Sequence, residues 1–137
     1  MPFNSIAVAL SGKANELPVI DEAVRITINL KAKLSVIHVN DIHAGEISMM
    51  MDSSKKFTKE DFIKIFIDAG HEEIAKRIEI KIGKNASISK GIAELAPDCD
   101  LLILGHNKMN KVTEILKDSI DEVIVNVSKC PVLIIPK

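Results

Sequence analysis

Five short apolar runs, separated by stretches with helical spacing or by loops, constrain this chain more than any other feature. Ser5-Ile-Ala-Val-Ala-Leu10 stops at the turn pair Ser11-Gly12 and predicts a buried first strand. Leu34-Ser-Val-Ile-His-Val39, bounded by Asn40-Asp41, predicts a second. Ile78, Ile80 and Ile82 alternate with charged residues before Gly83, the pattern of a strand at or near a sheet edge. Asp100-Leu-Leu-Ile-Leu104 halts at Gly105, and Val132-Leu-Ile-Ile135 follows the break at Cys130-Pro131.

Between these runs the period changes from two to about 3.6. Leu17, Ile20, Val24 and Ile28 predict a helix capped by Asn15, with Pro18 in its first turn and an end near Lys31. Thr58-x-x-Asp61 has capping-box spacing, and Phe62, Phe66, Ile67, Ile74 and Ile78 extend that helix to just before Arg77. Ile88, Ile92 and Leu95 mark a third helix closed by Pro97-Asp98, and Ile120, Val123, Ile124 and Val127 a fourth opened by Asp118-Ser119. Residues 41–56, with Gly45, Met49-Met-Met51 and Ser53-Ser54, sustain neither period and predict a mobile loop. Strands that alternate with helices pair in parallel, because each right-handed crossover lays its helix on a face of the sheet. At 137 residues the expectation is one domain, 1–137, of the α/β class: a doubly wound five-stranded parallel sheet with helices on both faces.

Charge and composition then exclude several classes of function. With 18 basic residues against 19 acidic ones, the net charge of −1 supplies no field to draw in nucleic acid or an anionic membrane. Met1 to Leu10 lacks a basic n-region and a long apolar core, so a cytoplasmic protein without a membrane segment is expected. Cys99 and Cys130 form no CxxC pair and have no His at ligand spacing; reduced structural thiols are expected, and no metal. His38 falls in a strand, His71 in a helix and His43 in the loop. His106 lacks a nucleophile or carboxylate at a spacing that makes a catalytic pair, so no catalytic residue is expected.

Ile6-Ala-Val-Ala-Leu-Ser-Gly12, Ile37-His-Val-Asn-Asp41, Asp100-Leu-Leu-Ile-Leu-Gly-His106 and Cys130-Pro-Val-Leu-Ile-Ile135 together resemble, in order and spacing, the strand ends of the universal stress protein family. The resemblance covers the whole chain. It implies a flavodoxin-like, adenine nucleotide alpha hydrolase-like fold with strand order 3-2-1-4-5 and, commonly, a homodimer. In that order the last strand is an edge, and its apolar residues Val132, Leu133, Ile134 and Ile135 form the expected dimer interface.

ATP-binding members of the family carry an Asp after strand 1 and a later Gly-x2-Gly-x9-Gly-Ser/Thr pattern, whose glycines let backbone amides approach phosphate. Here Ser11 stands in the place of the Asp, Gly105 and Ser119 are retained, and Lys108 and Asp118 replace the second and third glycines. The Lys108 ammonium can still pair with phosphate, whereas an Asp118 carboxylate at a helix start takes the amides that phosphate would use. At an effective dielectric near 20, two like charges about 4 Å apart repel by about 4 kcal/mol. The resemblance therefore implies a degraded nucleotide pocket comprising Ser11, Gly12, Val39, Gly105, Lys108, Asp118 and Ser119. The Gly105-His106 step resembles the universal stress protein A-type branch, which generally lacks the ATP motif. The expected function is a non-catalytic, dimeric stress-response or signalling module without a cofactor, acting through protein partners. The alternative is a regulatory module that binds ATP or AMP weakly; an enzyme of the related hydrolase or ligase folds finds no intact phosphate loop, metal or nucleophile here.

Overall fold

In a computed structural model of the chain, residues 3–40, 42, 55–96, 98–106, 124, 126 and 128–137 are described. The five apolar runs become β1 (Ser5–Ala9), β2 (Lys33–Asn40), β3 (Glu79–Lys84), β4 (Leu101–His106) and β5 (Val132–Pro136). All neighbouring pairs are parallel, in the order β3-β2-β1-β4-β5 expected from the resemblance. β2 is buried along its whole length except at Lys33, as a strand covered by helices on both faces must be.

Among the described residues the helices are α1 (Leu17–Leu30), α2 (Lys59–Asp68), α3 (Glu72–Ala75) and α4 (Ile88–Leu95). Because side chains alternate across a strand, the core divides in two. Ile6, Val8 and Val36 face one side and pack with Val19, Ile20 and Val24 of α1, Phe62 and Phe66 of α2, and Ile74 of α3. Ala7, Ile37, Val39, Leu102 and Leu104 face the other and pack with Ile92 of α4 and Ile124. Ile124 and Asn126 are helical, while the remainder of the expected fourth helix, including its Asp118-Ser119 opening, lies outside the described residues. Most of the expected 41–56 loop, with His43 and the three methionines, also lies outside them. Among the described residues no helix is long and apolar enough to cross a membrane.

Two helix expectations change. Asn15 does not cap α1: it sits in a 3-10 turn over Ala14–Glu16, and Glu16 takes the capping position. The buried stripe of α1 accordingly falls on Val19, Ile20, Ala23, Val24 and Thr27, leaving Leu17 and Ile28 48% and 58% exposed. The long second helix is in fact two, α2 and α3. Gly70, at φ +88°, donates to the Ile67 carbonyl, and the His71 N–H donates to that of Phe66, a left-handed helix ending that glycine adopts without strain. At the other end of α2 the capping box is present as expected: Asp61 N–H donates to Thr58 Oγ1, and the Thr58 N–H donates to the Asp61 carboxylate at 2.8 Å. His71 lies not within a helix but at the start of α3, 2.7 Å from Asp21 Oδ1 of α1.

Candidate functional site

An open parallel sheet offers a crevice beyond the carboxyl ends of its strands where the strand order reverses, here between β1 and β4. The loop leaving β1 begins at Leu10, whose N–H donates to the Ile37 carbonyl of β2. Gly12 then turns the chain at φ +84°, and a Cβ on it would sit 2.4 Å from the Phe57 ring. Both conditions demand glycine, and neither involves a ligand.

This turn aims consecutive backbone amides at one point, and that point is filled. Ser11 N–H donates to both carboxylate oxygens of Glu16, at 3.0 and 2.9 Å, and Gly12 N–H donates to Oε1 at 2.7 Å. Glu16 is only 3% exposed. Its charge is balanced by the Lys137 ammonium, 3.4 Å from Oε2 and itself nearly buried. To reach Glu16 the lysine crosses Gly105 at the end of β4: a Cβ there would lie 2.4 Å from Lys137 Cε and 2.8 Å from Val19 Cγ2. The Lys137 N–H also donates to the His106 carbonyl, which continues the β4–β5 ladder and fixes the lysine's starting point. A buried charge needs such partners, since removing one member of a buried pair costs about 3–5 kcal/mol.

A second polar cluster braces the neighbouring strand end. His38 Nδ1 donates to the Leu10 carbonyl at 2.7 Å, and Nε2 lies 3.0 Å from Asn40 Oδ1. Asn40 in turn bonds both backbone groups of Phe57, accepting from its N–H and donating to its carbonyl, each at 3.1 Å. The His38 ring has its centroid 5.0 Å from those of Phe57 and Phe62. The expected packing role of His38 is therefore accompanied by a polar one: it ties the loop after β1 to the segment entering α2.

Of the expected pocket residues, Ser11, Gly12 and Gly105 meet at this crevice, joined through Glu16 and Lys137. Val39 lies at the same end of β2, but its side chain packs on the opposite-face cluster, where Gly91 of α4 leaves room for it; a Cβ on Gly91 would approach to 2.7 Å. Lys108, Asp118 and Ser119 lie outside the described residues. Sequence reasoning missed Glu16 and Lys137. Glu16 is masked by its place in a capping turn, and Lys137 looks like any solvated lysine, so only the fold brings them together. Among the described residues no three His, Cys, Asp or Glu side chains gather so as to hold a metal ion.

Comparison with known proteins bears on both the fold and the lineage. A universal stress protein of Staphylococcus saprophyticus is 28% identical over 144 residues, spanning 98% of this chain and 84% of that one. A crystal structure of a universal stress protein in complex with cAMP superposes with a TM-score of 0.69 at 21% identity, covering 99% of this chain and 98% of the other. The universal stress protein UspA from Lactobacillus plantarum gives 0.64 at 19% identity, over 98% and 99%. The universal stress protein of Archaeoglobus fulgidus in complex with dAMP gives 0.56 at 16%, over 98% of each. At these identities the structural likeness establishes the fold. Residues 2–136 match the sequence profile of the Universal stress protein family, and with the strand order and the strand-end motifs already in place, the chain belongs to that family.

Proposed function

We propose that this universal stress protein is a non-catalytic, cytoplasmic stress-response or signalling module of the A-type, non-ATP-binding kind. It works as a homodimer through β5 and through protein partners, with its nucleotide crevice closed by its own side chains. The observation that carries this reading is the Glu16 carboxylate held by the Ser11 and Gly12 amides and paired with Lys137 across Gly105. A phosphate seeking those amides would have to displace a buried anion and break its ion pair. Gly105, the motif glycine retained here, and Gly12 are already required by internal packing against Val19 and Lys137 and against Phe57. Asp118 in place of the third motif glycine acts in the same direction.

The second reading, a regulatory module that takes up ATP or AMP, is favoured by relatives of the same fold that are complexed with cAMP and dAMP. On that reading Ser11, Gly12, Val39, Gly105, Lys108 and Ser119 would contact nucleotide once Lys137 swung away. Calorimetric titration separates the two. ATP with magnesium, AMP and cAMP are each expected to bind the wild type no more tightly than roughly 100 μM. Glu16→Gln, which keeps the shape and removes the competing charge, should strengthen binding, and Asp118→Gly should strengthen it more than Lys108→Gly. Micromolar binding by the wild type would overturn the closed crevice and establish the regulatory nucleotide module.

A further inference from the structure

At the opposite, amino end of the sheet the two cysteines meet. Cys99, just before β4, and Cys130, just before β5, are 31 positions apart in sequence, yet their sulfurs lie 3.0 Å from one another. Neither is fully buried. We propose that Cys99 and Cys130 form a thiol modification site, converted reversibly to an intramolecular disulfide by exchange with a low-molecular-weight disulfide. This inference is independent of the nucleotide crevice and of the function proposed above.

The geometry needs little adjustment, since closing about 1 Å brings the sulfurs to bonding distance. The surroundings also assign an order to the two thiols. Cys99 Sγ donates to the Ala96 carbonyl at 3.2 Å. Burial, reinforced by the hydrogen bond to Cys130, pushes the Cys99 thiol up to about 12, so Cys99 holds its proton and is a poor first nucleophile. Cys130 therefore opens the exchange; the Ser128 hydroxyl, 3.5 Å from its sulfur, is itself engaged with the Cys130 carbonyl at 2.9 Å. Its thiolate attacks one sulfur of the small disulfide, giving a mixed disulfide on Cys130 and releasing one small thiol. Cys99, held alongside, then loses its proton and displaces the second small thiol. In the balance, two protein thiols are oxidised to one disulfide while one small disulfide is reduced to two thiols.

The position of the bond decides its effect. Leu102 N–H donates to the Pro131 carbonyl, and Leu102 pairs with Val132, so Cys99 and Cys130 flank the first rung between β4 and β5. A disulfide there staples the edge strand to the sheet and closes a 31-residue loop in the unfolded chain.

Oxidised glutathione in graded ratios with the reduced form is the probe, applied to the full chain and read by intact mass and non-reducing peptide mapping. The expected product is a single chain, not covalently linked to another, lighter by two hydrogens, with peptides joined through Cys99 and Cys130 and a melting temperature raised by roughly 10 °C over the reduced form. Cys99→Ser should instead stop at a glutathione adduct on Cys130, and Cys130→Ser should react far more slowly. Two glutathione adducts on the wild type, disulfide-linked dimers as the main product, or thiols that remain reduced throughout would each overturn the proposal. These readouts come from the wild type, so they stand even where a variant folds poorly.

Discussion

The two edges of the sheet are built on opposite principles. β3 alternates Ile80 and Ile82 with Glu79 and Lys81, ends on Gly83-Lys84, and lies against α2 and α4. β5 reads Val132-Leu-Ile-Ile135 with no charge, and its Leu133 and Ile134 are 37% and 39% exposed. Ile135 and Val132 reach the two halves of the core, so the strand is anchored on both faces while its outer rim stays apolar. An unpaired edge templates further strand pairing unless something blunts it, and charges, lysine above all, are the usual device. Among the described residues one edge carries charges and the other none, and the proposed isologous two-fold interface through β5 rests on that difference.

The largest effect is expected from Ile134→Lys, which places a charge on the open rim. Sedimentation at tens of micromolar should show a dimer for the wild type and a monomer for the variant, a weakening of roughly 100-fold or more. A monomeric wild type, or an unaffected variant dimer, would break the contrast between the edges. The converse substitution tests the guarded side. Lys81→Ile should give β3 an apolar rim as well, and two open edges on one molecule permit chains of molecules instead of closed pairs, visible as concentration-dependent growth in light scattering.

Smaller effects probe the cover over β3. Thr58→Ala removes the oxygen that accepts the Asp61 N–H and should cost about 1 kcal/mol in chemical denaturation, with faster amide exchange in the first turn of α2. The smallest effect is one of pH. The Thr58 backbone N–H, with lesser help from the Thr58 hydroxyl and Lys55, holds the Asp61 carboxyl below the usual carboxylate range. Its contribution is complete above the ordinary aspartate value and is lost as the pH falls through the lower folded-state value. An acid titration followed by circular dichroism should thus show a late shoulder in the wild type that Asp61→Asn abolishes.

The contrast between edges is legible in the amino-acid sequence itself, because alternation and unbroken apolar runs are local signals. The same holds for the strand order, through the strand-end residues that carry the family resemblance, and for the Thr58-Asp61 cap. The break at Gly70 is not, since Ile74 and Ile78 prolong the helical spacing set by Phe62 and Phe66, and a glycine inside such a pattern is a weak stop. Less of the crevice is readable. Gly12 and Gly105 stand out as residues, but what they make room for, a Phe57 ring and a lysine side chain, comes from distant parts of the chain. Glu16 and Lys137 are 121 positions apart by their numbering, and an ion pair across such a gap leaves no periodic trace. Cys99 and Cys130 are a third case: their separation predicts two independent thiols, and the parallel register of β4 and β5 makes them neighbours.

Asp100 gives the amino end of the sheet a temporal meaning. Its carboxylate accepts from the Asn4 and Ser5 N–H groups at 2.9 and 3.0 Å, and its own N–H donates to the Ser5 carbonyl, so β1 is joined to β4 by residues 95 and 96 positions apart. β1 can meet β2 as soon as α1 has formed, because only one crossover separates them. Its other side waits until Asp100 and Leu101 have left the ribosome. Until then the molecule exposes one side of what will become its innermost strand, and closure of the sheet is set by the most sequence-distant contacts it makes along β1, the kind that slow folding most and leave nascent chains in need of protection.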